Sequence, residues 1–151
     1  MRLSEILIED SSHASTRNEP FTPDELERIE HWLSAFEAKG KTSISAQALG
    51  FRGELSYREM RERLGFPSGQ KAFKTQKLSL NQIFAQDQDG VSIRNLRSVL
   101  ENWAKAPLPE VLRLSDDSYW LIEGHHRLAL QRLANRKQMA VFVEYRKNPA
   151  R

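Results

Sequence analysis

The stretch YWLIEGHHRLALQRLANRKQMAVFVEY, residues 119–145, decides the fold. Residues 119–123 (YWLIE) read as a strand, rich in aromatic and branched side chains that fit a pleated surface. Gly124 marks a sharp break. Residues 125–135 (HHRLALQRLAN) read as a helix that offers Leu128, Leu130, Leu133 and Ala134 for burial. Residues 139–145 (MAVFVEY) are almost continuously apolar, as expected of an interior strand. Together they make a strand–helix–strand unit, expected to cross over right-handed.

Toward the N-terminus, LPEVLRL (108–114) is an expected strand and SDDS (115–118) a tight turn, so 108–123 reads as a hairpin. Ser92 is placed to cap a helix carrying Ile93, Leu96, Val99, Leu100 and Trp103, which Pro107 ends. KLSLNQIF (77–84) reads as a strand or extended entry and QDQDG (86–90) as a polar turn. Earlier signals are helical. Thr22-Pro23-Asp24-Glu25 is a capping box with proline at the first helical position. Leu26, Ile29, Leu33 and Phe36 follow at helical spacing, with Trp32 beside them, and Gly40 stops the helix. A second helical region is expected over 44–65, where Ser56 caps SYREMRERLG and Gly65 and Pro67 end it. The expected fold class is α+β, a mixed sheet with flanking helices, preceded by an N-terminal helical portion. The expected division is 1–76, helical, and 77–151, the sheet-bearing domain.

The chain has 151 residues, 39% apolar and 28% charged, and no cysteine. That is enough apolar material for a core. The missing thiol excludes disulfides, thiolate zinc sites and a cysteine nucleophile. No apolar run approaches a membrane span, and the acidic N-terminus lacks the basic flank of a secretory signal, so a cytoplasmic protein is expected. Charge is graded: four basic and nine acidic groups in 1–40, but seven basic groups against Glu144 alone in 124–151. Residues 52–77 hold seven basic groups and three acids. Such basic ends suit a polyanion, nucleic acid or nucleotide phosphate, and equally a solvated surface. Arg132, Arg136, Lys137, Arg146 and Lys147 are the expected DNA contacts.

The chemistry concentrates at Glu123-Gly124-His125-His126-Arg127, where a strand ends and a helix starts. The first helical amides have no internal partner, and the helix dipole adds partial positive charge, so an anion is favoured there. Gly124 permits the sharp turn and a close approach. Arg127, expected at an exposed helix entrance, adds a planar fork suited to phosphate. The imidazoles can donate hydrogen bonds or move protons near neutral pH. Glu123 can orient a water or hold a divalent cation. A capped surface histidine at an ordinary strand–helix junction is the plainer alternative. The histidine pair does not have zinc-ligand spacing.

The segment from Ser115 to Tyr145 is similar to the ParB/sulfiredoxin (ParB/Srx) superfamily. There a hairpin ends in Asp/Glu-Gly, and Gly-x-x-Arg, often Gly-His-His-Arg, opens a helix before a further strand. The likeness extends over about 77–146; Asn135 stands where many members have glycine, and asparagine tolerates the same left-handed cap. The resemblance implies a ParB/Srx-like nucleotide-binding domain, with ATP or CTP phosphates on Gly124, His125, His126 and Arg127. It also implies that Arg94, Arg97 and Ser98, on the flanking helix, are further phosphate contacts. Sulfiredoxin has its reactive cysteine at the position of His125, so sulfinic-acid reduction is excluded here. A partition clamp is not expected, because the sequence ends soon after its last strand.

Three readings stand. The first is an NTP hydrolase (ATPase) that acts on DNA as a nuclease, in the ParB-like nuclease branch. That branch includes small plasmid-borne proteins that suppress conjugative DNA transfer, and a protein of a DNA-transfer machinery is then a partner. The second is a small-molecule kinase of the serine-kinase type. The third is a non-catalytic module that binds nucleotide or a partner protein and regulates. For the first, Mg²⁺ would bridge phosphate oxygens with Glu123 as its ligand, and His126 would transfer the proton while His125 donates to phosphate, roles the two can exchange.

Overall fold

The computed structural model describes residues 17–51, 58, 62, 70–85, 90–115 and 117–147, the side chains of Ser115 and Lys147 excepted. The fold is mixed α+β. Helix α1 (Pro23–Ala38) starts as its capping box dictates: Glu25 N–H donates to Thr22 Oγ1 at 3.2 Å and Thr22 N–H to Glu25 Oε1 at 2.9 Å. Ile29 and Leu33 are fully buried, whereas Leu26 and Trp32, on the expected apolar side, stand 42% and 45% exposed. Strand β1 (Ser43–Ile44) pairs with β4 (Val91–Ser92). The second helical region was expected from residue 44. Instead 43–44 is this short strand, and residues 46–50 are turns, in which Ala48 N–H donates to Ser45 Oγ and Gly50 has φ +74°. Residues 58 and 62 are helical; the rest of the expected helix 56–65, the turn at 67–69 and residues 86–89 lie outside the described residues.

Strand β2 (Gln70–Ser79) begins earlier than the expected 77–84 strand and stops at Ser79, where a Ser79/Gln82 capping box turns the chain into the 3-10 segment Leu80–Gln82. Strand β3 (Ile83–Phe84) then lies at the opposite edge of the sheet. Ser92 caps helix α2 (Ile93–Glu101) through Asn95 N–H, as expected, and a 3-10 segment (Trp103–Lys105) follows. Strands β5 (Glu110–Ser115) and β6 (Ser118–Glu123) form the expected antiparallel hairpin, helix α3 spans His125–Leu133, and β7 spans Gln138–Lys147.

The five-stranded sheet runs β2-β7-β5-β6-β3. β7 is parallel to β5 and antiparallel to β2, and β6 is antiparallel to β5. The unit 119–145 is therefore not a parallel crossover. β5 lies between β6 and β7, and those two run in opposite directions. Glu123 and Phe142 both stand level with Glu110, so the chain leaves β6 and returns on β7 from the same end.

One sheet face is buried by Leu78, Val111, Tyr119, Leu121, Val141 and Val143 together with Leu128 of α3. Behind it, a helical layer joins Ile29 and Leu33 of α1, Leu96 of α2 and Leu130 of α3 with Ile44, Val91 and Trp103. The N-terminal helix thus shares a core with α2 and α3. The other face buries Leu112 and Trp120 beside Phe84, Leu114 and Ile122. Among the described residues no helix is long and apolar enough to cross a membrane.

Candidate functional site

Gly124 is the N-cap of α3, with φ +108° and ψ +31°. A side chain there would be strained by the backbone and would collide: a Cβ would sit 2.8 Å from Pro109 Cβ and 3.0 Å from Pro109 Cα. Glycine is therefore demanded twice, and the helix amides behind it face outward with no partner inside the first turn. Leu128 N–H closes the first helical bond to Gly124 O at 2.8 Å.

A cavity of about 370 Å³ opens at this helix entrance. Its polar side is Glu123, Gly124, His125, His126 and Arg127; its apolar side is Ala46, Phe51, Val91, Val99 and Ile122, with Gly90 between. The 123–127 turn expected from the sequence is thus brought together at one cavity. Gly90 is held tightly here, at φ +119°, since a Cβ would lie 2.8 Å from Ile44 O.

His125 packs at 6.2 Å against Phe51, and its Nε2 is buried with no hydrogen-bond partner. Burial, reinforced by the neighbouring His126, lowers its pKa. Burial, then the charge of Arg127, lowers that of His126 as well. Both shifts favour the neutral imidazole, which has one donor and one acceptor nitrogen. A buried nitrogen left unsatisfied costs about 1–3 kcal/mol, and His125 Nε2 is such an atom in a residue that lines the cavity.

Arg127 is not the exposed residue that the sequence suggests. It is half-buried, and its Nη1 donates to Pro107 O at 2.6 Å and Leu108 O at 3.1 Å. Desolvation pulls its pKa down, against the charge of Glu123. The guanidinium ties the helix entrance to the 107–108 segment with one nitrogen, and Pro109 of the next position walls Gly124. The partners in this tie, Pro107 and Leu108, lie 20 and 19 residues upstream and are not legible without the fold.

Arg94, Arg97 and Ser98 are not at this cavity. They line a second one, with Glu37, Lys41, Thr42, Ile93 and Glu101, while Val99 of the same helix faces the 123–127 turn. Arg97 is committed to α1: its Nη1 and Nη2 bind Glu30 at 2.8 and 3.0 Å, and Nη2 binds Glu37 at 2.6 Å. That bidentate contact holds Glu30 down at about 2, helped by the Ser34 hydroxyl. Helical geometry explains the split, because residues 94, 97, 98 and 101 share one face and 99 lies off it.

The expected DNA contacts do not form one surface. Arg136 is turned inward, its side chain 9% exposed. It binds both Glu25 oxygens at 2.8 Å, Pro20 O at 2.6 Å and Glu19 O at 3.0 Å, and stacks over Phe21 at 4.3 Å. It therefore serves as an internal clamp on the start of α1 and not as a surface cation. Arg132 is partly buried, with Nη2 on Leu80 O at 3.1 Å. Lys137 is exposed just before β7, whereas Arg146, at its far end, contacts Glu144 at 3.3 Å. Those two are about 30 Å apart along an extended strand. The side chain of Lys147 lies outside the described residues.

Among the described residues there is no group of three or more histidine, cysteine or acidic side chains placed to hold a metal. Glu123 is the carboxylate at the cavity. One carboxylate with phosphate oxygens and water is a donor set that suits Mg²⁺, which keeps much of its hydration. Phe51, Ala46, Val91, Val99 and Ile122 were not anticipated as lining residues, since nothing in an isolated apolar position says which cavity it will wall. Compared with models of known protein families and with curated proteins, the chain matches no family and no relative.

Proposed function

We propose that this chain binds a nucleoside triphosphate, ATP before CTP, with its phosphates on the 124–127 turn, hydrolyses it, and acts on DNA. The observation that carries the reading is the juxtaposition at one cavity: a glycine-capped helix entrance, the buried unpartnered Nε2 of His125, and a wall of Phe51, Val99 and Ile122 that can take an apolar ring. The resemblance of 115–145 to the ParB/sulfiredoxin superfamily supports the same ligand class. It is also the ground for naming DNA, a nuclease activity, a DNA-transfer protein as partner and a cytoplasmic setting.

The free amides of the first turn and the remaining Arg127 nitrogens oppose the charge that develops on the phosphoryl oxygens. Neutral His125 would donate one hydrogen bond to the ligand without adding charge. Neutral His126 accepts the proton of the attacking water as its oxygen bonds to the terminal phosphorus and the diphosphate leaves. Mg²⁺, when bound beside Glu123, would neutralise phosphate oxygens and fix their orientation. A second reading, a nucleotide-binding regulatory module without turnover, is favoured by a separate observation: Glu123 is the single carboxylate among the residues that line the cavity.

The test is phosphate release from ATP and CTP with Mg²⁺, beside nicking of supercoiled plasmid, for the wild type and Glu123→Ala. Turnover lost in a folded Glu123→Ala variant is the expected result. Nucleotide binding with no turnover in the wild type moves the conclusion to the regulatory module. Absence of binding removes both.

A further inference from the structure

The outer face of the sheet, away from the helices, is closed on one half and open on the other. Leu112 and Trp120 are 3% and 4% exposed on the β5–β6 half, while Phe73 and Phe142 are 45% and 36% exposed on the β2–β7 half. The two rings stack in parallel, 5.1 Å apart and 4° from coplanar directions, across neighbouring strands. Aromatic pairs usually bury most of their area, and here both side chains are partly exposed.

The edge strand beside the pair is basic: β2 carries Lys71, Lys74 and Lys77 and no acid, and all three are exposed, with Lys77 Nζ 3.9 Å from Glu19 Oε1. Alternation puts Lys71, Thr75 and Lys77 on the same face as Phe73. Lys71 Nζ stands 5.6 Å from the Phe73 ring centroid. Glu144, opposite Phe73 in the register, is almost buried and is compensated by Lys71 at 3.7 Å and Arg146 at 3.3 Å. Lysines along an edge strand also disfavour pairing with a second copy of the same edge.

We propose that this half-face is a docking surface for single-stranded DNA, with bases stacked on Phe73 and Phe142 and phosphates running past Lys71 and Lys77. Bases offer their ring faces only when unpaired, so a duplex cannot use the aromatic pair, whereas the lysines alone would serve either form. Position adds to the case. Phe142 is level with Glu110 and, one strand further, Glu123, and its N–H donates to Pro109 O at 2.8 Å. Phe142 and Glu123 are therefore about 10 Å apart across the sheet, two strand spacings. Glu110, on the same face, sends the phosphates toward the lysine side. The choice of DNA over RNA rests on the function proposed above; the surface itself rests on its own residues.

The experiment is fluorescence anisotropy with labelled dT20, a duplex of equal length and rU20, without nucleotide or metal. The proteins are the wild type, Phe73→Ala/Phe142→Ala and Lys71→Ala, with circular dichroism to confirm folding. The expected result is preference of the wild type for dT20 and a loss of roughly tenfold or more in the aromatic variant. Lys71→Ala is expected to flatten the salt dependence by about one phosphate contact while keeping the preference. Equal binding of duplex and dT20, or an aromatic variant that binds dT20 like the wild type, overturns the proposal. So does tighter binding of rU20, or a wild-type dimer in sedimentation that Phe73→Asp dissociates. Because no nucleotide is present, failure here leaves the hydrolase reading standing, and the reverse holds as well.

Discussion

Replacing Gly124 by alanine isolates the feature on which the candidate site depends. At φ +108° an L-residue carries a backbone cost of about 1–2 kcal/mol. Gly40, at φ +78° with nothing within 4 Å of a built Cβ, carries a cost of this kind without any collision. At Gly124 the new methyl also meets Pro109 Cβ at 2.8 Å, Pro109 Cα at 3.0 Å and Arg127 Cζ at 3.3 Å. Two of those atoms belong to a rigid ring, and the third is held by the 107 and 108 carbonyls, so none can yield by simple rotation. Overpacking of this kind adds about 1–3 kcal/mol. Gly124→Ala is thus expected to cost about 2–5 kcal/mol and Gly40→Ala about 1–2 kcal/mol. Urea titrations of the wild type and both variants at one pH measure the difference. Should Gly124→Ala cost no more than Gly40→Ala, the packing of Pro109 on the helix entrance, and the geometry argued from it, would be refuted.

Three further expectations follow from the packing. Arg136 holds Glu25 down at about 2, with its amide and hydroxyl contacts to Thr22 adding to the effect. Because the folded pKa lies below the unfolded one, near 4.5, the stabilisation is complete above that value and is lost as pH falls toward 2. Glu25→Gln is therefore expected to lower stability by about 2–3 kcal/mol at pH 7 and to flatten the acid limb of a stability–pH curve measured by thermal melts. Glu30, about half exposed, has the same shift, but solvent screening should hold Glu30→Gln below about 1 kcal/mol; equal losses would contradict the inward placement of Arg136. Leu33→Ala, at a fully buried position of α1, is expected to cost about 2–5 kcal/mol in a single cooperative denaturant transition. An early separate transition would show that α1 does not share the core of α2 and α3.

Several residues show why some readings transferred to three dimensions and others did not. Thr22 and Glu25 begin a helix, Ser92 begins another, and Gly124 breaks a strand into a third. Each acts through hydrogen bonds or backbone freedom within about one turn, so neighbours in sequence suffice. The 77–84 segment misled for a related reason. Its alternating apolar residues suit a strand anywhere, and only the Ser79/Gln82 box, itself a short-range signal, divides it between two sheet edges. Leu26 and Trp32 follow the helical period of Ile29 and Leu33 but lie outside the stripe that α2 and α3 cover. Arg97 was expected at a phosphate from the resemblance and Arg136 at DNA from the basic charge of 124–151, and neither ground reveals partners that are 60 and 111 residues away.

The amino-acid sequence by itself determined the capped starts of the three helices, the α+β class and the cluster of Glu123, Gly124, His125, His126 and Arg127 at a strand–helix junction. Periodicity, capping and the freedom of glycine all operate over a few residues, and these are written consecutively. Tertiary structure alone decided that β5 separates β6 from β7, that Phe51, Val99 and Ile122 wall the cavity, that Arg136 is an internal clamp, and that Phe73 and Phe142 meet on an open face. Those outcomes depend on which distant surfaces can be buried together at once. That is a property of the whole packed core, and no short stretch of the chain carries it.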